Sequence, residues 1–317
     1  MSDYQNIKVA VVGGGYWGKN LVRNFAELGS LYQVCDNSAS VRESFMNQYP
    51  GVTTTDNYSQ VLENPDINAV VIATPAALHY EMTKLALKAG KDVLVEKPLA
   101  LEVKEGKELA ALAAEKKKVL MVGHILEYHP AVKKLVELVR TGHLGKIHYI
   151  YSNRLNLGKF RTEENILWSF APHDISVILR ILNEVPHSVS ANGGEYLSKG
   201  IADVTITNLL FNSGVKAHIF VSWLHPFKEQ KLVVVGSEKM AVFDDVAEDK
   251  LLLYPHKVNW LGRLPVAEKV EAEVIALPDA EPLKEECKHF LQCVAERTEP
   301  LTGSNNAINV LSVLSAS

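Results

Sequence analysis

Residues 7–36 read IKVAVVGGGYWGKNLVRNFAELGSLYQVCD, and no other stretch limits the fold so tightly. An apolar run, Ile7 to Val12, leads straight into Gly13-x-Gly15-x-x-Gly18. A helical pattern follows, and then a second apolar run that ends in Asp36. Strand, glycine turn, helix, strand and terminal acid in that order form the fingerprint of a dinucleotide-binding unit. Gly13 permits the tight turn, Gly15 lets the backbone approach a pyrophosphate, and Gly18 lets the helix pack close to the strand. The helix N-terminus then presents N–H groups and partial positive charge to the phosphates. Asp36 lies 18 residues after Gly18, where an acid binds the adenosine ribose hydroxyls. The same acid repels a 2′-phosphate, so NAD is expected over NADP, with Arg42 the one nearby cation that argues otherwise. Tyr16 and Trp17 sit inside the turn, either lining the cleft or joining the core.

The first ~120 residues alternate strand and helix, the signature of a parallel sheet with helices on both faces. Strands are expected at Ile7–Val12, Leu31–Cys35, Ala69–Ala73, Asp92–Val95 and Val119–Val122, with a short one near Val52. Leu78, Met82, Leu85, Ala86 and Ala89 mark a helix closed by Gly90, and another spans Val103–Lys117. After Gly123 the pattern changes. A helical stripe of Val132, Leu135, Val136 and Val139 precedes a series of long alternating segments from Lys146 to Tyr254. Turns such as Asn212-Ser213-Gly214 separate them, which argues for an antiparallel or mixed sheet. Further helices carry Ile175, Ile178, Leu179 and Leu182, and Leu283, Cys287, Phe290, Leu291 and Val294. The expected division is residues 1–122 and 123–317, and the pattern leaves open that the last helices return to the first domain.

A net charge of −4 and the absence of a basic block point away from nucleic acid and anionic membranes as partners. The apolar runs are strand-sized, and the polar N-terminus enters the first strand directly, so neither a membrane span nor a signal peptide is expected. Cys35, Cys287 and Cys293 are odd in number and show no metal-like spacing with histidine. Free thiols in a reducing cytoplasm, with no metal site, are the simplest reading.

Two further segments have the residue types of a reactive site. Val93-Leu94-Val95-Glu96-Lys97-Pro98 is a buried strand ending in an acid, a lysine and a proline. Ligands of open α/β sheets bind outside the carboxyl ends of the strands, so Lys97 is expected in the nucleotide cleft, unless it is an ordinary strand-end lysine. A cis Lys97–Pro98 bond would be one way to aim it. In Leu167-Trp168-Ser169-Phe170-Ala171-Pro172-His173-Asp174, the proline suggests that a helix starts at His173. A helix N-terminus disfavours an imidazolium, so His173 would be neutral and able to accept a proton. The competing reading makes His173 or Asp174 a helix cap, and Asp174 is expected to steady the first turn.

GGGYWG, Thr74-Pro75-x-x-x-His79, Glu96-Lys97-Pro98 and the His173-Asp174 pair occur in one order along the chain. That set resembles the glucose–fructose oxidoreductase/inositol dehydrogenase family, Gfo/Idh/MocA, over essentially the whole length. The resemblance implies an α/β Rossmann domain plus an α+β domain with a large open, predominantly antiparallel sheet. The outer face of that sheet commonly makes dimers in the family, which implies a homodimer or homotetramer. The implied activity is that of an NAD-dependent dehydrogenase acting on CH–OH groups. Lys97 and His173 would flank the reacting carbon, His173 taking the hydroxyl proton and Lys97 stabilising the developing charge. Thr74, Pro75, His79, Glu96 and Lys97 join the glycines, Tyr16, Trp17 and Asp36 as implied cofactor contacts, and His124 would border the site.

Two departures from the family pattern matter. Ser169 stands where many members have an aspartate, and Gly123-His124-Ile125-Leu126-Glu127-Tyr128-His129-Pro130 lacks the usual Asn and Arg after the sixth strand. The stretch Asn153-Arg154-x-Asn156-x-Gly158-x-x-Arg161, followed by Asn165 and Trp168, looks more like the nucleotide-sugar 3-dehydrogenases. These act on UDP-N-acetylglucosamine or its uronic acid and supply a 3-keto sugar for surface polysaccharides. Arg154 and Arg161 would be anchors for a diphosphate or carboxylate, or else solvated arginines. Asn156 and Trp168 complete the implied substrate contacts. A dehydrogenase of a free sugar, inositol or polyol, and a non-catalytic NAD-binding regulator, are the alternatives.

Overall fold

The computed structural model describes residues 6–158, 160–162 and 164–317. The chain forms two compact units. The first runs to Tyr128 and resumes at Glu281–Ser312, and the second comprises His129–Ala280 with Val313–Ser317.

In the first unit, strands and helices alternate: β1 (Val9–Val12), α1 (Gly18–Glu27), β2 (Leu31–Cys35), α2 (Ala39–Gln48), β3 (Thr53–Thr55), α3 (Tyr58–Glu63), β4 (Ala69–Ile72), α4 (His79–Lys88), β5 (Asp92–Glu96), α5 (Val103–Lys116) and β6 (Leu120–Gly123). All six strands are parallel, in the order β3-β2-β1-β4-β5-β6. This is the doubly wound dinucleotide-binding order, and its switch point lies between β1 and β4. The central strands are apolar on both faces, as a sheet covered on both sides requires: every residue of β1 and β4 is buried.

The second unit contains α6 (Pro130–Arg140), β7 (Ile147–Leu157), α7 (Ile166–Leu182), β8 (Ser188–Gly194), β9 (Val204–Leu210), β10 (Lys216–Ser222), β11 (Leu224–Gly236), β12 (Met240–Asp244), β13 (Leu251–Tyr254), β14 (Lys257–Leu261), β15 (Leu264–Glu268) and β16 (Glu273–Val274). Eight of these strands form one sheet, in the order β16-β13-β12-β11-β7-β10-β9-β8. Among the described residues of this sheet, only the β7–β10 pair is parallel. Helix α7 packs on β7, β9 and β10, so Ile150, Ser152, Leu209, Ile219 and Val221 are buried, whereas Tyr149, Ile206 and Leu210 are exposed. The β14–β15 hairpin stands outside this sheet, with Trp260 and Leu264 exposed.

Helices α8 (Pro282–Glu296) and α9 (Ser304–Ala316) close the chain. The boundary therefore falls after Tyr128 rather than at Gly123, and α8 belongs to the first unit. The cause is apolar packing: Leu283, Cys287, Phe290, Leu291 and Val294 share one core with Val9, Leu21, Phe25 and Met121. Phe25 and Phe290 meet edge to face, their ring centroids 6.4 Å apart. Thr302 ties the return to β6, its hydroxyl donating to the Val122 carbonyl at 2.7 Å. The three cysteines are buried free thiols.

Candidate functional site

The glycine turn takes its shape from close approaches. Gly13 has φ +91°, and a Cβ there would lie 2.7 Å from the Ala73 carbonyl oxygen. A Cβ on Gly18 would lie 1.8 Å from the Gly13 oxygen, which is an overlap, so α1 can start here only on glycine. A Cβ on Gly15 would meet nothing within 4 Å: this is the open side of the turn, where the backbone is bare toward a ligand. Helix α1 starts there with no side-chain cap. Asp36, at the end of β2, is held by both oxygens: Gly14 N–H donates to Oδ2 at 2.7 Å and Ser38 N–H to Oδ1 at 2.8 Å. Each oxygen keeps acceptor capacity for a ribose hydroxyl. Arg42 donates to the Asp36 and Asn37 carbonyls and pairs with Asp56, so its guanidinium is already engaged within the loop. These residues fit a dinucleotide without a 2′-phosphate. We expect Gly15→Ala to fold with stability within about 0.5 kcal/mol of the parent and to lose at least about tenfold in NAD affinity. Gly18→Ala should instead lose the folded unit, and chemical denaturation with NAD titration separates the two outcomes.

The end of β5 lies next along the same sheet edge. The Lys97–Pro98 bond is cis. Lys97 and Glu96 are half-buried, and the Trp17 indole N–H donates to Glu96 Oε1, so the glycine turn is fastened to the Glu-Lys-Pro segment. Tyr16, in contrast, is exposed, with the Lys19 ammonium 5.5 Å from its ring centroid. His124 follows β6 and is buried; burial first, and then the charge of Lys97, depress its imidazole to about 3. It is therefore a neutral base within electrostatic reach of Lys97.

Thr74 and Pro75 lie on the loop after β4, between the switch point and α4. The expectation for His79 changes. It is 1% exposed, and its Nδ1 and Nε2 lie 2.7 Å and 2.8 Å from the Pro98 and Thr74 carbonyl oxygens. The ring braces the two loops against each other and offers neither nitrogen to a ligand.

In the second unit, the expected helix start at His173 is corrected. Helix α7 begins at Ile166, where the Asn165 side chain caps it by accepting from Trp168 N–H. His173 lies two turns inside, after Pro172, which the helix tolerates in its interior. The helix dipole therefore gives His173 no N-terminal bias. Asp174 is not a cap either. It is 2% exposed, and Arg154 grips it with two bonds, Nε to Oδ2 at 2.8 Å and a terminal nitrogen to Oδ1 at 3.2 Å. The Ser152 hydroxyl adds a third donor at 2.7 Å.

Arg154 is buried and points at α7, so it joins the sheet to the helix and its fork is unavailable to a substrate anion. Arg161 is exposed and pairs with Glu164 at 3.3 Å. Asn156 and Trp168 are half-buried, and Ser169 is buried.

One residue escaped the sequence reading altogether. Glu286 on α8 is fully buried, and neither of its carboxylate oxygens has a hydrogen-bond partner among the described residues. Its signal was available: Glu286 falls three residues after Leu283 and four before Phe290, in register with the apolar stripe.

Among the described residues no cluster of histidine, cysteine or acid side chains is arranged to hold a metal ion. No helix of the described residues is long and apolar enough to cross a membrane.

Comparison with known proteins agrees with this geometry. Residues 7–124 match the Gfo/Idh/MocA oxidoreductase family, NAD-binding Rossmann fold, and residues 132–242 match the Gfo/Idh/MocA C-terminal domain. The chain is 25% identical over 296 residues to UDP-N-acetylglucosamine 3-dehydrogenase of Acidithiobacillus ferrooxidans, covering 92% of this chain and 89% of that one. It is 24% identical to the scyllo-inositol 2-dehydrogenase (NAD(+)) of Bacillus subtilis, covering 93% and 88%. The solved structure of UDP-N-acetylglucosamine 3-dehydrogenase GnnA from Acidithiobacillus ferrooxidans superposes with a TM-score of 0.85 at 23% identity, covering 97% of this chain and 95% of that one.

Proposed function

The chain belongs to the Gfo/Idh/MocA family of NAD-binding oxidoreductases acting on sugars or polyols, and from that premise we propose that it oxidises the carbon-3 hydroxyl of a UDP-N-acetyl-hexosamine or its uronic acid. The observation that supports this substrate is the match, over 92% of the chain, to an enzyme of that name. Within the chain, Arg161 supports it: an exposed guanidinium just beyond β7 suits a diphosphate or a carboxylate. Arg154 is withdrawn from that role.

Gly13, Gly15 and Gly18 hold the pyrophosphate and Asp36 the adenosine ribose. NAD supplies the hydride acceptor. His173 takes the proton of the substrate hydroxyl, and Lys97 hydrogen-bonds the same oxygen and stabilises its developing negative charge. With Ser169 in place of a carboxylate, no anion at that position supports an imidazolium, so proton handling rests on His173 and Lys97. We further propose a homodimer or homotetramer built on the exposed sheet face that includes Tyr149, Ile206 and Leu210, which sedimentation velocity would reveal.

A thermal-shift series with NAD present tests the substrate. A ligand at 100 times its dissociation constant adds about 2.7 kcal/mol to stability. We expect shifts with UDP-N-acetylglucosamine, its uronic acid and UDP, none with myo-inositol, and a weaker UDP response in Arg161→Ala. A shift with myo-inositol alone would transfer the assignment to a polyol dehydrogenase.

A further inference from the structure

The end of β5 is surrounded by more ionisable groups than cofactor binding requires. Glu96 accepts from the Trp17 indole through Oε1 and from the Lys97 backbone N–H at 3.3 Å through Oε2. Its Oε2 lies 3.0 Å from where a Cβ on Gly123 would stand, so the carboxyl is wedged against β6. Helix α8 packs on the turn that follows β6 and brings the buried, unpartnered Glu286 carboxyl within electrostatic reach of Glu96.

The facing groups are Lys97 beside Glu96, His124 after β6, Glu127 and Tyr128 on the following turn, and Glu286 and Cys287 on α8. Burial, and then the charge of Glu96, push the Glu286 carboxyl well above its usual range. Burial likewise raises the Cys287 thiol and the Tyr128 phenol. Cys287, Tyr128 and His124 are thus neutral near pH 7, and Glu286, buried without a hydrogen-bond partner among the described residues, is biased toward its neutral form. Glu96 differs: burial pushes it up to about 7, against the opposing pull of Trp17 and Lys97, so its charge changes near neutrality.

We propose that Glu96 is a redox-linked proton site, protonated when the reduced cofactor is bound and ionised when the oxidised cofactor is bound, with Glu286 held behind it as a permanently neutral acid. The adenosine half of a dinucleotide belongs to the β1–β3 half of a doubly wound sheet, marked here by Asp36. The nicotinamide half belongs to the β4–β6 half, at whose strand ends Glu96 stands. A positively charged ring favours a carboxylate there, and an uncharged ring does not. In the reaction, the C–H and O–H bonds of the carbinol break, and the carbonyl π bond and the nicotinamide C4–H bond form. Bound NAD would accept the hydride, and the hydroxyl proton goes first to His173; as His173 releases that proton to solvent, Glu96 takes one up, so the complex releases no net proton. The inference rests on NAD binding and not on the identity of the sugar.

Isothermal titration of the intact protein with NAD and with NADH, each in phosphate and in Tris at pH 7, counts the protons exchanged on binding. We expect the NADH complex to hold about half a proton or more beyond the NAD complex, with the difference shrinking toward pH 5 and pH 9. Glu96→Gln should abolish the difference. Glu286→Gln should retain it, because an amide replaces a neutral acid of the same shape. Equal proton counts for the two nucleotides in the parent protein would overturn the proposal, and so would a difference that survives Glu96→Gln. Loss of the difference in Glu286→Gln would overturn the neutral role of Glu286. Absence of any binding heat would overturn the cofactor assignment as well, so that failure is distinguishable.

Discussion

Lys97→Met should lower turnover by about 10²–10⁴-fold while NAD affinity stays within a few-fold of the parent. The side chain follows Glu96 at the carboxyl end of β5, and its charge is felt by both Glu96 and His124. The glycine turn and Asp36, the proposed cofactor contacts, make their own hydrogen bonds and do not depend on it. A group that stabilises charge only as the hydroxyl ionises acts on the transition state, so kcat and kcat/KM should fall together. His173→Ala should cost a similar factor through loss of the base. Steady-state kinetics with the sugar identified by thermal shift, and NAD titration by fluorescence, check both. Unchanged turnover in both variants would remove these residues from the mechanism. Lost NAD affinity in Lys97→Met would recast the lysine as a cofactor anchor.

Arg154→Ala should destabilise the protein by about 3–5 kcal/mol, because it leaves the Asp174 carboxylate buried without its cation. Ser152 alone cannot replace a two-point guanidinium contact. The double variant Arg154→Met/Asp174→Leu should recover most of that loss, since a buried pair replaced by apolar side chains of similar volume is often neutral. Urea denaturation of the two single variants and the double variant gives the coupling directly. An Arg154→Ala protein of unchanged stability but weakened UDP affinity would return the residue to the substrate.

The Rossmann half was readable because each of its strands is a short, apolar run between turn signals, and Gly13, Gly15, Gly18 and Asp36 have no good alternative placement. The second sheet was readable wherever one strand face is buried, as in β9, β10 and β12, whose side chains alternate. It was not readable in the first half of β11, where Pro226 and charged residues break the alternation and the register shifts between Leu224 and Glu229. Hairpin β14–β15 was missed for a similar reason: it buries no face and includes Pro265.

The helix start at His173 was misplaced because a proline, here Pro172, is read as an opening signal, while the actual signal, Asn165 two turns earlier, has no charge and no proline to mark it. Arg154 was misread because an arginine's partner in a fold is set by tertiary packing. Nothing local in Asn153-Arg154-Leu155 reports that Asp174 lies opposite.

Helix α8 lies in the same core as β1 and α1, although some 250 residues of chain separate them. On a ribosome, the first unit is thus left with a gap where Phe290, Leu291 and Cys287 belong, while the intervening His129–Ala280 segment is already emerging. At about 5–20 residues per second, that segment takes roughly 8–30 seconds to synthesise. The usual order, in which the N-terminal domain matures first, therefore cannot run to completion here before the chain ends. All of the second unit but Val313–Ser317 has been synthesised while the nucleotide-binding unit still waits, with the apolar surface around Phe25 uncovered, for the last helices to arrive.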